Sequence, residues 1–508
     1  MDPITLQVMA SALRAVAEEM EAALVRSAFS PNITERRDCS TAICDRDGAM
    51  IAQSASIPVH LGAMPDAVAA VIAASPAPGD VWILNDPFTG GTHLPDLTLV
   101  SPLHTGGTLM GYAVSRAHHA DVGGMTPGSM PAGSRELVQE GLVLPPVRLL
   151  AAGVLREDIV AIILANSRTP RERAGDLRAQ IAAHRLADAR MDDLVARWGR
   201  PLVQNACGEL LAYAERRTRA EIARLPDGIY RAEASLEGDG VTTDTLHIRV
   251  AVTVAGDRLA IDFSGTDAAG PGNCNCPLAV TRSAVYFVVR AVTDPDIPAS
   301  SGAVAPVQVI APAGCLVNAR PPAAVAAGNV ETSSRIVDVV TAALGQAVPT
   351  MAMGQGTMNN LTVGARGFTY YETLAGGQGA GPGGPGPSAV HVAMSNTLNT
   401  PIESLETTYP VRVERYTVRS GSGGAGRYRG GDGVVRALRV LVDAQVSIIS
   451  ERRATAPRGA SGGSDGAPGI NLLDGRVLPG KWTGDVAAGT VIEISTPGGG
   501  GWGPPDEA

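Results

Sequence analysis

Residues 376–386 read GGQGAGPGGPG, seven glycines in eleven positions. No helix or sheet is built from such a run, because glycine loses the most backbone freedom on ordering and brings no side chain to a core. TPGGGGWGPP at 496–505 repeats the constraint. With 60 glycines and 36 prolines in 508 residues, the chain stands well above the roughly 12% of these two residues usual in globular proteins. The C-terminal half must therefore be short strands joined by tight loops. The 376–386 run is expected to be a loop or lid, or a nest of backbone amides for an anion. Apolar residues make up 45% of the chain, enough to bury a core in two or three domains at roughly 150 residues each.

The N-terminal half carries regular periodicities. Asp2-Pro3 is an N-cap followed by proline at the first helical position, and Leu6, Met9, Leu13, Val16, Met20 and Leu24 recur at helical spacing. This helix is expected to end near Ser30-Pro31. Strands over Ser40–Cys44 and Ala49–Ala52 flank a hairpin turn at Asp45-Arg46-Asp47-Gly48. A helix near Pro65–Ala74 precedes strands at Val81–Leu84, Leu97–Pro102 and Leu109–Ser115. Residues 155–224 are helix-rich; from Gly228 strands dominate (Leu246–Val254, Leu259–Phe263), interrupted by a helix at Glu331–Leu344. The reading is a mixed α+β chain: an N-terminal α/β region over 1–154, a helical segment over 155–225, and β-rich regions over 226–415 and 416–508.

Several functions are excluded or disfavoured. A net charge of −9 argues against a nucleic-acid binder. The N-terminus lacks a basic segment followed by an apolar run, and the longest apolar stretch, around Val160–Ala165, is far short of the roughly 18 residues of a membrane span. Cys39, Cys44, Cys207, Cys274, Cys276 and Cys315 contain no C-x-x-C pair, which fits reduced thiols in a cytoplasmic protein. Three familiar motifs fail on context. Gly475–Lys481 resembles a phosphate-binding loop but ends in Trp482 where a magnesium-binding hydroxyl belongs. Gly462–Gly466 fits G-x-S-x-G without the strand that feeds a nucleophile elbow. Gly379, Gly381 and Gly384 fit G-x-G-x-x-G without a strand before or a helix after. Nucleotide binding by this chain is therefore unsupported by these motifs.

The histidines carry more. His93 and Asp96 lie three apart in NDPFTGGTHLPD (85–96), and His118-His119 with Asp121 lie in RAHHADVGG (116–124). Both loops terminate adjacent strands, so they converge if those strands are neighbours. Imidazoles and carboxylates at one point make a transition-metal site suited to zinc, manganese or iron. Consecutive residues on an extended chain face opposite sides, so one of His118 and His119 is a ligand and not both. His60 flanks a helix start and could line the pocket; His104 is a turn residue.

The chain resembles the hydantoinase B/oxoprolinase family, which includes N-methylhydantoinase B subunits, the C-terminal part of 5-oxoprolinases and subunits of acetone carboxylases. The resemblance rests on SPNITERRDCSTAICDRDGAMIAQ (30–53), IPVHLGAMPDAV (57–68), GDVWILNDPFTGGTHLPDLTLVSP (79–102), RAHHADVGGMTPGSMP (116–131), QEGLVLPP (139–146), AGNVETSSRIVDVV (327–340), YETLAGGQGAGPG (371–383), SGGAGRYRGGDGVVR (422–436) and TPGGGGWG (496–503). It implies that His93, Asp96 and His118 are metal ligands with Asp38 as the fourth, holding one divalent zinc or manganese. It also implies a hydantoinase A-like partner subunit that binds ATP and magnesium, in a hetero-oligomer. The implied activity is ATP-dependent opening of a lactam or cyclic imide, of hydantoin or 5-oxoproline type, after the partner phosphorylates the amide oxygen. His119 or Asp121, or else Glu140, would orient or deprotonate the attacking water. The alternative is a ketone carboxylase subunit of acetone carboxylase type; a scaffold for the ATP-binding subunit would have no use for two histidines and two carboxylates in one pocket.

Overall fold

The computed structural model describes residues 1–54, 57–60 and 62–505. The chain is mixed α and β throughout. Seven strands, β1 (Cys39–Asp45), β2 (Met50–Gln53), β3 (Val81–Leu84), β4 (Asp96–Thr105), β5 (Thr108–His118), β6 (Val147–Ala151) and β7 (Val154–Leu155), form one sheet in the order β2-β1-β5-β4-β3-β6-β7. The β1–β2 hairpin turns where expected: the Asp45 carboxylate accepts from the Asp47 and Ala49 amides, and Gly48 takes the positive φ the turn requires.

Helix α1 (Pro3–Ser27) is capped by Asp2, whose side chain accepts from the Thr5 amide. Its apolar stripe, including Leu13, Met20 and Leu24, packs on one face of the sheet. After the short α2 (Pro31–Thr34), α3 (Met64–Ala73) covers the opposite face, where Val68 and Val71 meet Trp82, Val100, Tyr112 and Val114. β5 shows the alternation: Tyr112 and Val114 point to α3, Ala113 to α1. Of the helical residues 157–222, α4 (Glu157–Ala165) is short, whereas α5 (Pro170–Trp198) and α6 (Arg200–Ile222) lie beside α1, sharing its core through Ala183, Met191 and Leu210. These long helices therefore serve as the second layer of the N-terminal sheet.

Strands β8 (Gly228–Leu236), β9 (Leu246–Ala255), β10 (Arg258–Asp262) and β11 (Val307–Ile310) make a second sheet packed on α7 (Leu278–Val292) and, beyond the short α8 (Ser301–Val304), on α9 (Ser333–Leu344). The helix expected from Glu331 begins at Ser333, preceded by a wider π-helical turn over Gly328–Thr332. The remaining strands are β12 (Asn360–Ala365), β13 (Phe368–Glu372), β14 (Val411–Arg419), β15 (Gly433–Val440), β16 (Ala444–Ile449), β17 (Ile470–Leu473), β18 (Arg476–Leu478), β19 (Lys481–Val486) and β20 (Val491–Ser495). They pair as β13-β12-β16-β19 and β14-β15-β20-β17-β18. The failed phosphate-loop motif sits at the β17–β18 hairpin, with Asp474 and Gly475 both at positive φ.

The glycine-rich tracts correct the expectation of a lid. Residues 376–380 bond backbone to backbone with the other glycine-rich segments: Gly377 N–H donates to Pro497, Ala380 to Gly500 and Gly431 to Gln378, and Gly499 in turn donates to Gly431. The segments approach too closely for any side chain. A Cβ at Gly431 would stand 1.8 Å from the Pro387 carbonyl oxygen, and one at Gly499 2.0 Å from that of Gln378. Residues 376–380 are thereby neither a lid nor an open nest for an anion, whereas 381–386 turns out to the surface, with Gly381 and Gly384 bonded to each other.

Candidate metal centre

The sheet places the site by register. β4 and β5 are antiparallel, and Asp96, the first residue of β4, lies directly opposite His118, the last of β5. His93 sits three residues before Asp96 in a loop that Asn85 holds through the Leu94 and Leu142 carbonyls. β1 runs beside β5, and the carbonyl of Asp38, just before β1, accepts from the His118 amide. Residues some 55 apart in sequence thus meet where the central strands β1, β5 and β4 end.

Three side chains converge there. His93 Nε2 is 3.1 Å from His118 Nδ1, and these nitrogens are 3.2 and 3.3 Å from Asp96 Oδ1. All three residues are buried. Four ligands at about 2.1 Å around a tetrahedral ion stand about 3.4 Å apart, so the triangle has the dimensions of one face of such a shell. The donor set, two imidazoles and a carboxylate, suits a divalent transition metal, and the residues fit the group the resemblance implies. The imidazoles hold the Asp96 carboxyl well below the usual range, outweighing the opposing effect of burial. Burial pushes His118 down, towards the neutral form a ligand needs.

Around this triangle is a cavity of about 20 Å³, lined also by Asp38, His60, Asn329, Tyr371, Thr373, Ser395 and Thr397. Asp38 faces the cavity but stands outside the tight three-residue cluster. His60 approaches Asp96 Oδ2 with Nε2 at 3.4 Å, while Ser40 Oγ, 2.8 Å from its Nδ1, fixes the ring. Thr92 bonds the same carboxylate oxygen.

The three side chains expected to handle the water are elsewhere. His119 faces the other side of β5, as alternation requires, and its Nε2 is 3.0 Å from Gln180 Oε1 on α5; burial lowers it to about 4. Asp121 spends both oxygens on loop structure, accepting from the Gly123, Gly128 and Arg168 amides and the Arg168 guanidinium. Glu140 accepts from Ser134 and from the Val325 and Ala326 amides. Burial raises it to about 7, and its contacts clamp the chain just before the 328–332 turn. All three support the site from behind. His60 is the residue placed beside the carboxylate instead.

Two further contributors had no legible signal. The π-helical turn presents Asn329, whose Nδ2 is 3.1 Å from His93 Nδ1. The Tyr371 ring stacks on His118 with centroids 4.4 Å apart, and its hydroxyl donates to Asn360 Oδ1. Both lie more than 230 residues from the imidazoles they touch, a distance that no local spacing spans.

The hydantoinase B/oxoprolinase family matches residues 2–505, and the chain belongs to that family. It is 39% identical to an uncharacterized protein of Methanocaldococcus jannaschii, covering 100% of this chain and 92% of that one. It is 37% identical to 5-oxoprolinase 1 of Arabidopsis thaliana over 99% of this chain but only 42% of the relative. It is 32% identical to the B component of a putative D-/L-hydantoinase from a Pseudomonas species, covering 100% and 90%. Among solved structures, the ATP-dependent caprolactamase of Pseudomonas jessenii superposes with a TM-score of 0.91 at 29% identity, covering 99% of this chain and 91% of that one. A nucleotide-free acetone carboxylase shares the fold at TM-score 0.89 and 19% identity, covering 99% and 76%.

Proposed function

We propose that this chain is the metal-dependent component of an ATP-dependent amidohydrolase that opens a lactam or cyclic imide. The carrying observation is the buried convergence of His93, Asp96 and His118, in a chain alike along its whole length to an ATP-dependent caprolactamase. His93, Asp96 and His118, with Asp38 from the start of the neighbouring strand β1, would hold one zinc or manganese ion, whose chemistry is to acidify a bound water and polarise an oxygen. His60, held by Ser40 at Nδ1, would position the Asp96 carboxylate through Nε2. Asn329 and Tyr371 keep the two imidazoles in place. The apolar wall of Ile57, Val59, Met358 and Met394 excludes bulk water. Water would add to the activated carbon, the ring C–N bond would break with a proton passing to the nitrogen, and a second water would release the resulting acyl phosphate as carboxylate and inorganic phosphate.

Activation needs ATP, and the sequence has no phosphate-binding loop. A separate hydantoinase A-like protein would phosphorylate the amide oxygen. The Pseudomonas relative, named as one component of a hydantoinase, supports this, as does the 5-oxoprolinase of which more than half lies outside the match. The assembly is then a hetero-oligomer. The carboxylase alternative has only a shared fold in its favour.

The test is metal content of wild type and His93→Ala purified without chelator, followed by ATP-dependent lactam opening with the partner added. About one zinc or manganese per wild-type chain, lost in the variant, is expected. Asp96→Ala should assemble with the partner and turn nothing over. A wild type that binds no metal, or an assembled Asp96→Ala complex that still hydrolyses, overturns the reading.

A further inference from the structure

Five arginine side chains are less than 2% exposed: Arg36, Arg116, Arg173, Arg335 and Arg436. Three have a carboxylate at hand, Arg173 with Asp176 (3.0 Å), Arg335 with Asp338 (2.8 Å) and Arg436 with Glu372 (3.4 Å). Arg116 anchors the 85–96 loop through the Gly90 carbonyl and the Thr98 hydroxyl. Arg36 is different. Its Nη1 donates to the Tyr371 carbonyl (2.8 Å) and reaches Asn32 Oδ1 (3.5 Å). Its Nη2 donates to Thr373 Oγ1 (2.7 Å) and reaches Thr397 Oγ1 (3.4 Å), and its Nε has no partner. Every acceptor is neutral, and among the described residues no carboxylate forms an ion pair with it. A guanidinium taken out of water carries a desolvation penalty that neutral acceptors only partly offset.

The position of this charge gives it a meaning. Thr373 and Thr397 line the same cavity as His93, Asp96 and His118. A hydroxyl that accepts from a guanidinium keeps its own proton to donate. The two hydroxyls are 2.8 Å apart, so one serves the other and the pair has one proton left over. Thr397 Oγ1 also lies 3.4 Å from His391 Nε2, and Ser395 Oγ, on the same wall, lies 2.7 Å from His391 Nδ1. Besides the imidazole–carboxylate triangle, the cavity lining therefore carries three hydroxyls, two of them within reach of a guanidinium that lies over the Tyr371 ring and has no carboxylate partner among the described residues. Asp38, the other carboxylate of the cavity, is assigned to the cation under the proposed function.

We propose that Arg36, Thr373 and Thr397 form a subsite for an oxyanion carried by the substrate, so that the ring to be opened reaches this cavity as an anion. The inference rests on the proposed function and narrows its substrate class. The oxyanion is either a carboxylate on the ring, as in 5-oxoproline, or the phosphoryl group placed on the amide oxygen by the partner. Hydroxyl donors backed by a guanidinium suit both. With about 20 Å³ free, the cavity holds a single water-sized group as it stands, so an oxyanion enters only where the lining gives way.

The experiment is a calorimetric titration of the full chain, stripped of metal by chelator, with inorganic phosphate, with 5-oxoproline and with uncharged 2-pyrrolidone. Binding of at least one anion and none of the neutral ring is expected, weakened at least tenfold in Thr373→Val/Thr397→Val. Phosphate alone identifies the phosphoryl source, and 5-oxoproline identifies the carboxylate. Arg36→Gln should abolish binding where it folds; the isosteric valine variant decides the matter if it does not. No anion binding, or binding unchanged in the valine variant, overturns the subsite. Because the titration is done without metal, its failure is separate from that of the proposed function, which is read from wild-type metal content.

Discussion

Glu331 shows how much a single buried group behind the site can reveal. It is wholly buried, its Oε1 accepts from the Met358 amide and from Asn360, and its Oε2 has no partner. Burial, and then the neighbouring Glu451 carboxylate, push it up to about 7 from 4.5. Between these values the folded chain holds a proton that the unfolded chain has released. The stability this confers is therefore fully present below pH 4.5 and is lost as pH rises through 7. At about 1.4 kcal/mol per pH unit the ceiling is about 3 kcal/mol. Glu331→Gln, neutral throughout, should be no less stable than wild type at pH 8 and should lose part of the wild-type decline between pH 4.5 and 7. Urea midpoints across that range check this, and superimposable pH profiles for the two proteins would show that Glu331 is ionised in the fold. Glu140, raised by burial to the same value, contributes a parallel slope that remains.

At the scale of the element, the glycine-rich tracts make the sharpest claim. Gly431→Ala puts a methyl group 1.8 Å from the Pro387 oxygen, with the Gln378 nitrogen at 3.0 Å. Backbone cannot retreat without breaking the neighbouring bonds. A loss of at least about 3 kcal/mol is expected, at the top of the range for single substitutions. Gly383→Ala, in the exposed part of the 376–386 run, meets nothing within 4 Å and should be neutral or slightly stabilising. Thermal melts of the two variants compare them directly, and equal effects would contradict the packed arrangement. The π-helical turn at 328–332 is the other element that matters. It opens with Gly328, where a Cβ would stand 1.8 Å from the Asn275 oxygen, and it carries Asn329 to His93. Such turns recur at functional sites in other proteins.

Across the whole molecule, the single lysine is a probe of the packing that joins the halves. Lys481 lies on β19, its ammonium paired with Glu451 and its side chain 4% exposed. Amine-reactive labelling of the native chain should therefore modify only the terminal amine, and a second site should appear in urea; intact mass reads the difference. Rapid labelling of Lys481 in the native state would mean that this buried cluster is open. Within the described residues no helix is long and apolar enough to cross a membrane, in line with the sequence. Much was legible without coordinates. The stripe of α1, the β1–β2 hairpin and the strand Val81–Leu84 all follow from periods and spacings a few residues long, which is the range over which side-chain direction is set by the backbone; the choice of His118 to join His93 and Asp96 came from the family resemblance. Alternation also foretold that one of His118 and His119 must turn away. What the sequence could not decide was which polar groups would find partners. Asp121 and Glu140 look like free carboxylates on paper, and only the tertiary structure spends them on the Arg168 and Val325–Ala326 amides. The same holds for the 376–386 run, where glycine at high density reads equally as a mobile loop or as chain packed too tightly for side chains. Local sequence limits what a backbone can do, but whether its amides face water or another segment depends on residues a hundred positions away.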